Sequence, residues 1–99
     1  MRYVVELSAQ AELALDDIYA YIAKDKPKAA ESFVSSLLQA CRSLNSFPRA
    51  HPLVPEHMRS GDPGEIRYFI HRPYRIVYKI MNGRVFVVDI RHGARQNVE

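Results

Sequence analysis

The sequence predicts an α+β domain in which a helical hairpin packs on a small, mainly antiparallel sheet, with the element order β-α-α-β-β-β. Three observations predict this fold. Residues 65–95 hold three short runs that alternate apolar and polar side chains, as half-buried strands do. Asn82-Gly83 separates two of these runs and is typical of a two-residue type I′ hairpin turn. Upstream, two stretches repeat apolar residues at helical spacing and are joined so tightly that they must pack together.

The N-terminal half supplies the first strand and both helices. Residues 3–7 are rich in β-branched and aromatic side chains and form the first predicted strand, whose place in the sheet is left open. Ser8 is suited to cap a helix over residues 9–24, because its hydroxyl can accept from the free N–H groups of the first turn. Pro27 is tolerated in the first turn of the second helix, which we expect Pro48 to end.

Each predicted helix has one apolar face that must be buried. The only cysteine, Cys41, lies on the second of these faces and is interpreted as a buried core thiol. It cannot form an intrachain disulfide, which agrees with a reducing compartment. The two faces comprise Ala11, Leu15, Ile18 and Ile22 in the first helix, and Ala30, Phe33, Val34, Leu37, Leu38, Cys41 and Leu44 in the second.

Composition indicates one globular domain over residues 1–99, with 47% hydrophobic and 25% charged residues. No apolar run approaches the roughly 20 residues of a membrane helix, and no signal peptide opens the chain, so we expect a cytoplasmic protein. The net charge is +3 and is concentrated in residues 46–99, which favours phosphates or acidic segments as partners. The spacing of His51 and His57 matches no compact metal site, and we expect neither metal nor cofactor.

Basic residues of the last third define a candidate binding face. Arg67, Arg75 and Arg91 fall on the polar parity of their strands, so we expect them on one face of the sheet as a cationic patch. Guanidinium groups bind phosphates or carboxylates in a bidentate manner. The candidate binding face comprises Arg67, Arg75, Lys79, Arg91 and Arg95.

Such a patch could cleave phosphodiesters without a metal, if arginines stabilised the transition state and another group moved protons. His92 is the candidate for proton transfer, and a nuclease would then use Arg67, Arg91 and His92. Arginines on an exposed strand face also serve solubility, so we commit to no catalytic residue. Tyr74 and Tyr78 lie on the more apolar parity and are interpreted as core aromatics.

The ordered combination of these features resembles the ParE branch of the RelE/ParE toxin superfamily. The resemblance covers nearly the whole chain. It implies a RelE/ParE-like fold and the toxin of a bacterial type II toxin–antitoxin (plasmid stabilisation) system that causes growth arrest. The segments that carry it are LDDIYAYIAKDKPKAAESFVSSL at the hairpin, SFPRAHPLVPE after it, IRYFIHRPYRIVYKI in the strands and DIRHGARQ near the end.

The resemblance implies two alternative targets. ParE-like members poison DNA gyrase, whereas RelE-like members cleave mRNA in the ribosomal A site with arginines and acid–base groups. No tyrosine follows Arg91 here, and the central segment is basic only at Arg49 and Arg59. Both departures favour a gyrase-directed binder that is not an enzyme. A ribosome-dependent endoribonuclease of the RelE type is the alternative, and a member that has lost toxicity is a third reading.

The resemblance also implies a ParD-like antitoxin that forms a hetero-oligomer with the toxin. Its amphipathic helix would lie along the helical hairpin while acidic side chains contact the basic face. Small side chains leave room for such a groove, although they serve close packing inside the hairpin equally well. The expected groove residues are Ala11, Leu15, Ile18, Ile22, Ala30, Phe33 and Leu37.

Overall fold

The protein, in a computed structural model, is described over residues 2–55 and 64–93. Two helices pack on one face of a single four-stranded sheet with the strand order β1-β4-β3-β2. The predicted α+β class and the order β-α-α-β-β-β are therefore confirmed. The elements are β1 (Val4–Leu7), α1 (Ala9–Ala23), α2 (Pro27–Arg42), β2 (Glu65–His71), β3 (Tyr74–Met81) and β4 (Arg84–His92).

Strand β1 joins the sheet at one edge by pairing in parallel with β4, which fixes the position that the sequence left open. The other two pairs are antiparallel, as predicted. Between β3 and β4, Asn82 has φ 48° and Gly83 has φ 77°. A type I′ turn requires positive φ at both central residues, so the predicted hairpin is confirmed.

Strand β4 contains one extra residue, a β-bulge at Val88. Tyr78 pairs with Val87, but its neighbour Val77 pairs with Asp89, so Val88 has no partner across the ladder. A bulge places two residues of one strand opposite one residue of the next and shifts the alternation of side chains beyond it. For this reason the buried residues of β4 do not follow one parity and are Val85, Val87 and Ile90.

Ser8 holds this bulge against the start of α1. Its backbone N–H donates to the Val87 carbonyl at 2.9 Å, and its hydroxyl donates to the Val88 carbonyl at 2.8 Å. The same hydroxyl accepts from the Ala11 N–H at 3.0 Å, which is the predicted N-cap interaction. Ser8 therefore pairs backbone groups of both elements, the carbonyls of the bulge in β4 and a free N–H group in the first turn of α1.

The second helix ends earlier than the sequence suggested. It stops at Arg42, not at Pro48, and a 3₁₀ turn at Ser43–Asn45 carries Leu44 into the core. A second 3₁₀ turn, Pro48–Ala50, follows after Phe47. The apolar spacing continues through Leu44 because Cys41 and Leu44 are three positions apart, and residues at i and i+3 lie on the same side of a 3₁₀ turn.

The core lies between the helical hairpin and the sheet. Cys41 is fully buried within it, as predicted, and burial raises the pKa of this thiol to about 11. The thiol therefore stays protonated and is a poor nucleophile. No helix among the described residues is long and apolar enough to cross a membrane. The sheet residues of the core are Tyr74, Ile76, Tyr78, Ile80, Val85, Val87 and Ile90, and the helical ones include Ala11, Leu15, Ile18 and Leu37.

Candidate functional site

The strand register assigns the predicted arginines to two different faces of the sheet. Residues directly opposite one another in an antiparallel pair lie on the same side. Arg67 pairs with Tyr78, which faces the helices, whereas Arg75 pairs with Arg91 on the side away from the helices. The prediction that Arg67, Arg75 and Arg91 share one face is therefore wrong for Arg67.

The physical reason lies in the composition of β2 and in the turn that follows it. This strand carries apolar residues on both parities, so alternation does not reveal which side faces the helices. The register is set by the two-residue connection Arg72-Pro73, which places His71 opposite Tyr74. Counting outward from that connection places Arg67 opposite Tyr78. The position of Arg67 could therefore have been read from the sequence by counting from the Arg72-Pro73 connection.

We call the side of the sheet away from the helices the open face, and it combines cations with apolar side chains. Two of its arginines are ion-paired within the sheet, Arg84 with Glu6 at 2.5 Å and Arg91 with Asp89 at 2.5 Å. Both arginines of these pairs are more than half exposed, so solvent screens the pairs and they contribute little to stability. The cations of the open face are Arg75, Lys79, Arg84 and Arg91, and its apolar residues include Ile66, Tyr68, Ile70, Val77 and Phe86.

Arg75 lies on the open face near the start of the inner strand β3. Its guanidinium carbon is 4.9 Å from the centroid of the Tyr68 ring, which is a cation–π contact. Its Nε is buried and has no hydrogen-bond acceptor among the described residues. Charged acceptors form the strongest hydrogen bonds with guanidinium groups, so the Arg75 guanidinium suits an acidic or phosphate-bearing partner, which would meet its accessible edge and not the buried Nε.

Arg67, by contrast, belongs to a hydrogen-bonded cluster that we call the Glu65 network. Its Nε donates to Glu65 at 2.8 Å, and its Nη1 donates to the backbone carbonyl of His51. Arg49 donates to the same carboxylate at 2.9 Å from Nε and at 3.0 Å from Nη2. Arg49 also donates to the Tyr3 hydroxyl at 2.8 Å. The network therefore ties the turn at residues 48–51 to the starts of β1 and β2.

The segment that follows this turn covers the outer edge of β2. Val54 donates its N–H to the Ile66 carbonyl at 2.9 Å, and Tyr68 donates to the Pro52 carbonyl at 3.1 Å. An exposed strand edge invites pairing with another chain, and a covering segment prevents this. Arg67, whose side chain is 16% exposed, thus serves to anchor this cover.

The Glu65 network makes stability depend on acid. Hydrogen bonds from Arg49, and then from Arg67, hold the pKa of Glu65 below its ordinary value of 4.5. Because the folded pKa is the lower one, the carboxylate stabilises the fold above about pH 4.5, and this contribution is lost as pH falls through the folded pKa. We expect Glu65→Gln to lower the melting temperature at pH 7 and to flatten its decline below about pH 4.5.

The matched control for this prediction is Glu31→Gln, which changes an exposed carboxylate of α2. Thermal unfolding followed by circular dichroism from pH 7 to acid would measure both variants. Equal acid dependence in the wild type and Glu65→Gln would contradict the role assigned to the network.

A groove of about 540 Å³ opens where α1 passes the end of β4. The His92 ring meets the Tyr74 ring edge-on, with centroids 5.3 Å apart at 86°. Asp17 and Tyr21 of α1 line the opposite wall, and Arg91 contributes to the rim. The groove thus brings together a histidine, a carboxylate and two phenols.

The three candidate nuclease residues do not meet in this groove. Arg67 and His92 pair with Tyr78 and Tyr74, which are four residues apart on β3 and therefore roughly 13 Å apart along the strand. Arg91 belongs to the open face and reaches only the rim of this groove, far from Arg67. Proton transfer requires groups within hydrogen-bond reach of the reacting atoms, so this set does not form one catalytic site. Arg95, Arg59 and His57 lie outside the described residues.

Comparison with known proteins identifies the family. Residues 5–97 match the family model of the ParE toxin of type II toxin–antitoxin system, parDE. The chain belongs to the ParE toxin family. No curated protein sequence matches this ParE toxin significantly.

Two solved structures resemble this ParE toxin in fold. A chain of the chromosomal ParDE toxin–antitoxin system from P. aeruginosa superposes with a TM-score of 0.74 at 18% identity, over 92% of this chain and 96% of that one. A chain of the archaeal RelE–RelB complex from Pyrococcus horikoshii OT3 superposes with a TM-score of 0.64 at 15% identity, over 96% and 99%. At these identities the likeness shows the fold, and the RelE/ParE-like architecture is confirmed.

The predicted antitoxin groove of this ParE toxin coincides with the domain core. Ala11, Ala30 and Leu37 are completely buried, and Leu15 and Ile18 are nearly so. These five side chains cannot form an exposed groove, so that prediction is wrong for them. The same apolar stripe is needed to cover the sheet, and a small domain has no second apolar face to spare. The remaining two groove residues, Ile22 and Phe33, are partly buried against the core.

Sequence reasoning missed several residues that organise this ParE toxin. Glu65 and Arg49 lie 16 positions apart, and Tyr3 meets Arg49 only in the folded chain. No local sequence pattern therefore predicts these two contacts. The most accessible large apolar residues of α1 are Leu13, 63% exposed, and Tyr21, 68% exposed. Both residues lie outside the core stripe of α1. They are eight positions apart, a spacing that places two residues on the same side of a helix, so they define a second, exposed flank.

Proposed function

We propose that this ParE toxin inhibits DNA gyrase by binding, and that a ParD-like antitoxin neutralises it in the cytoplasm as part of a plasmid-stabilisation system. The choice of binding over catalysis is carried by one observation: the candidate nuclease residues do not converge. Arg67 is held by Glu65, Arg91 pairs with Asp89 on the other face, and His92 packs on Tyr74.

Metal-free cleavage of RNA requires a general base, a general acid and a cation around one phosphate. A cation already engaged with a carboxylate is less available to a phosphate, because the carboxylate competes for the same donors. Arg67 is engaged in this way within the Glu65 network, and Arg91 within its pair with Asp89. These contacts support a toxin that acts through its surface.

The antitoxin has two complementary surfaces available on the toxin. The open face carries Arg75 and Lys79, whose positive charge complements acidic side chains. On the hairpin, the flank of α1 with Leu13 and Tyr21 replaces the buried stripe as the place for an amphipathic helix. The structural neighbours come from a ParDE system and a RelE–RelB complex, which supports an antitoxin partner.

His92→Phe tests the mode of action with little disturbance of packing. A phenyl ring keeps the edge-on contact with Tyr74 but cannot transfer a proton. A catalytic histidine contributes about 10²–10⁴-fold to rate, so its loss would abolish growth arrest in cells that express the toxin from an inducible promoter. We expect His92→Phe to arrest growth as the wild type does.

Growth curves after induction would show the result, and the wild-type chain serves as the reference at equal expression. Escape from arrest in His92→Phe, together with the loss of mRNA cleavage in those cells, would contradict binding and favour the endoribonuclease.

A further inference from the structure

Phe47 is the most exposed large apolar residue of the described chain, with 83% of its surface accessible. Its backbone adopts the left-handed conformation, with φ 55° and ψ 49°. This conformation is uncommon for residues other than glycine and asparagine, and it is an outlier for a bulky aromatic. Neither burial nor backbone preference therefore explains a phenylalanine at position 47.

The residues on both sides of Phe47 force this conformation. Before it, the Asn45 carbonyl accepts from the Tyr3 N–H at 2.9 Å. After it, the Pro48 carbonyl accepts from the buried Tyr78 hydroxyl at 2.5 Å, and Arg49 is fixed in the Glu65 network. Strained backbone persists where the surrounding structure over-determines it, and such positions cluster at functional sites. The ring is thus held outward on a rigid base.

The surface beside the ring is a groove of about 490 Å³. Arg49 is neutralised there by Glu65, but Arg2 at the rim has no acidic partner among residues 2–55 and 64–93. A rigid aromatic beside a cation is the composition of a binding hot spot. Its complement is an apolar socket with carboxylates at its rim. The groove is lined by Arg2, Tyr3, Ser46, Phe47, Pro48 and Arg49.

This surface lies far from the groove that contains His92. Tyr3 precedes β1, whose Val4 pairs with Arg84, and Arg84 pairs with Met81 at the end of β3. Tyr74, beside His92, is at the other end of β3, seven residues away and therefore roughly 23 Å along the strand. A partner on the open face or on the flank of α1 thus leaves the Phe47 surface as a separate place for contact.

We propose that Phe47 and Arg2 form the contact through which the toxin holds its protein target, with the ring inserted into an apolar, carboxylate-rimmed socket on that target. This inference rests on the proposed function, in which the target is DNA gyrase. It gives a reason for an aromatic residue at a position where glycine would fit the backbone with less strain.

Phe47→Gly tests the proposal because it removes the ring and relieves the backbone at the same time. We expect a melting temperature equal to or above that of the wild type, together with at least a tenfold loss of potency against gyrase-catalysed supercoiling of plasmid DNA. Arg2→Glu should weaken inhibition in the same direction. The control is Tyr19→Ala, which removes another exposed aromatic ring, lies on neither proposed binding surface and should leave inhibition unchanged.

Undiminished inhibition by Phe47→Gly beside an inhibitory wild type would overturn this proposal and leave the proposed function intact. A clear fall in melting temperature would also overturn it, since the ring would then support the fold. A wild type without effect on gyrase would refute the proposed target. Growth arrest is then the readout. Arrest lost in Phe47→Gly but kept in Tyr19→Ala supports the contact, and arrest kept in both variants overturns it. A wild type that neither inhibits gyrase nor arrests growth overturns both proposals.

Discussion

Leu37→Ala is expected to lower the free energy of unfolding by about 2–5 kcal/mol. Leu37 lies on α2 with no exposed surface, in the core between the hairpin and the sheet. Removing its isobutyl group loses the transfer free energy of the buried carbons and leaves a cavity that the surrounding side chains fill only in part. In a domain of this size each kcal/mol lowers the melting temperature by about 4–8 °C.

Leu13→Ala is the matched control, since it makes the same chemical change on α1 at a residue that is 63% exposed. We expect its free energy of unfolding to stay within about 0.5 kcal/mol of the wild type. Urea unfolding of the three proteins would measure both changes. A small and equal loss of unfolding free energy in the two variants would mean that Leu37 is accessible to solvent. The predicted antitoxin groove requires such an accessible Leu37.

Tyr78→Phe is expected to lower the free energy of unfolding by about 1–3 kcal/mol. The Tyr78 side chain is completely buried, and its hydroxyl donates to the Pro48 carbonyl at 2.5 Å. Phenylalanine fills the same space but leaves that carbonyl without this donor in a desolvated site. The turn that contains Pro48 also carries Arg49 and Phe47, so we expect this segment to loosen as well.

The same phenol makes the fold sensitive to alkali. Burial raises the pKa of Tyr78 to about 12 from its ordinary value of 10.0. Because the folded pKa is the higher one, the protonated phenol stabilises the fold fully below pH 10, and this contribution is lost between about pH 10 and 12. Unfolding midpoints of Tyr78→Phe should fall less steeply over this range than those of the wild type. Parallel decline in both proteins would contradict a buried, proton-donating Tyr78.

Local features of this fold were predictable because their causes lie within a few residues. Asn82-Gly83 has the backbone freedom that a tight hairpin needs, and the turn follows from those two residues. Ser8 caps α1 through an oxygen three residues from its partner. The apolar period of the helices and of β3 identified the residues that became the core.

The features that sequence reasoning missed depend on contacts between distant segments. The parallel pairing of β1 with β4 joins residues about 80 positions apart. The bulge at Val88 shifts the alternation of β4, and its carbonyl is satisfied by Ser8 from the other end of the chain. The Glu65 network likewise joins three distant segments, so its contacts could not be predicted from local patterns.

The candidate site was predictable in kind but not in place. A basic sheet face does exist around Arg75 and Arg91, because their parity relative to the core residues of β3 was readable. The helical groove could not be predicted in the same way. An apolar stripe on a helix can pack in the domain core or bind a partner, and here the packing of the helices on the sheet buries it in the core. The exposed, left-handed Phe47 could not be predicted from the sequence. Its position before Pro48 indicates only that the backbone avoids the right-handed helical conformation there.

The central claim, that this ParE toxin acts by binding gyrase, is tested most directly by two parallel reactions with the purified chain. One contains gyrase, ATP and relaxed plasmid, and the other contains translating ribosomes with end-labelled mRNA. We predict blocked supercoiling or cleaved plasmid in the first reaction and intact mRNA in the second. Cut mRNA beside normal supercoiling would contradict the claim and identify the toxin as a ribosome-dependent endoribonuclease.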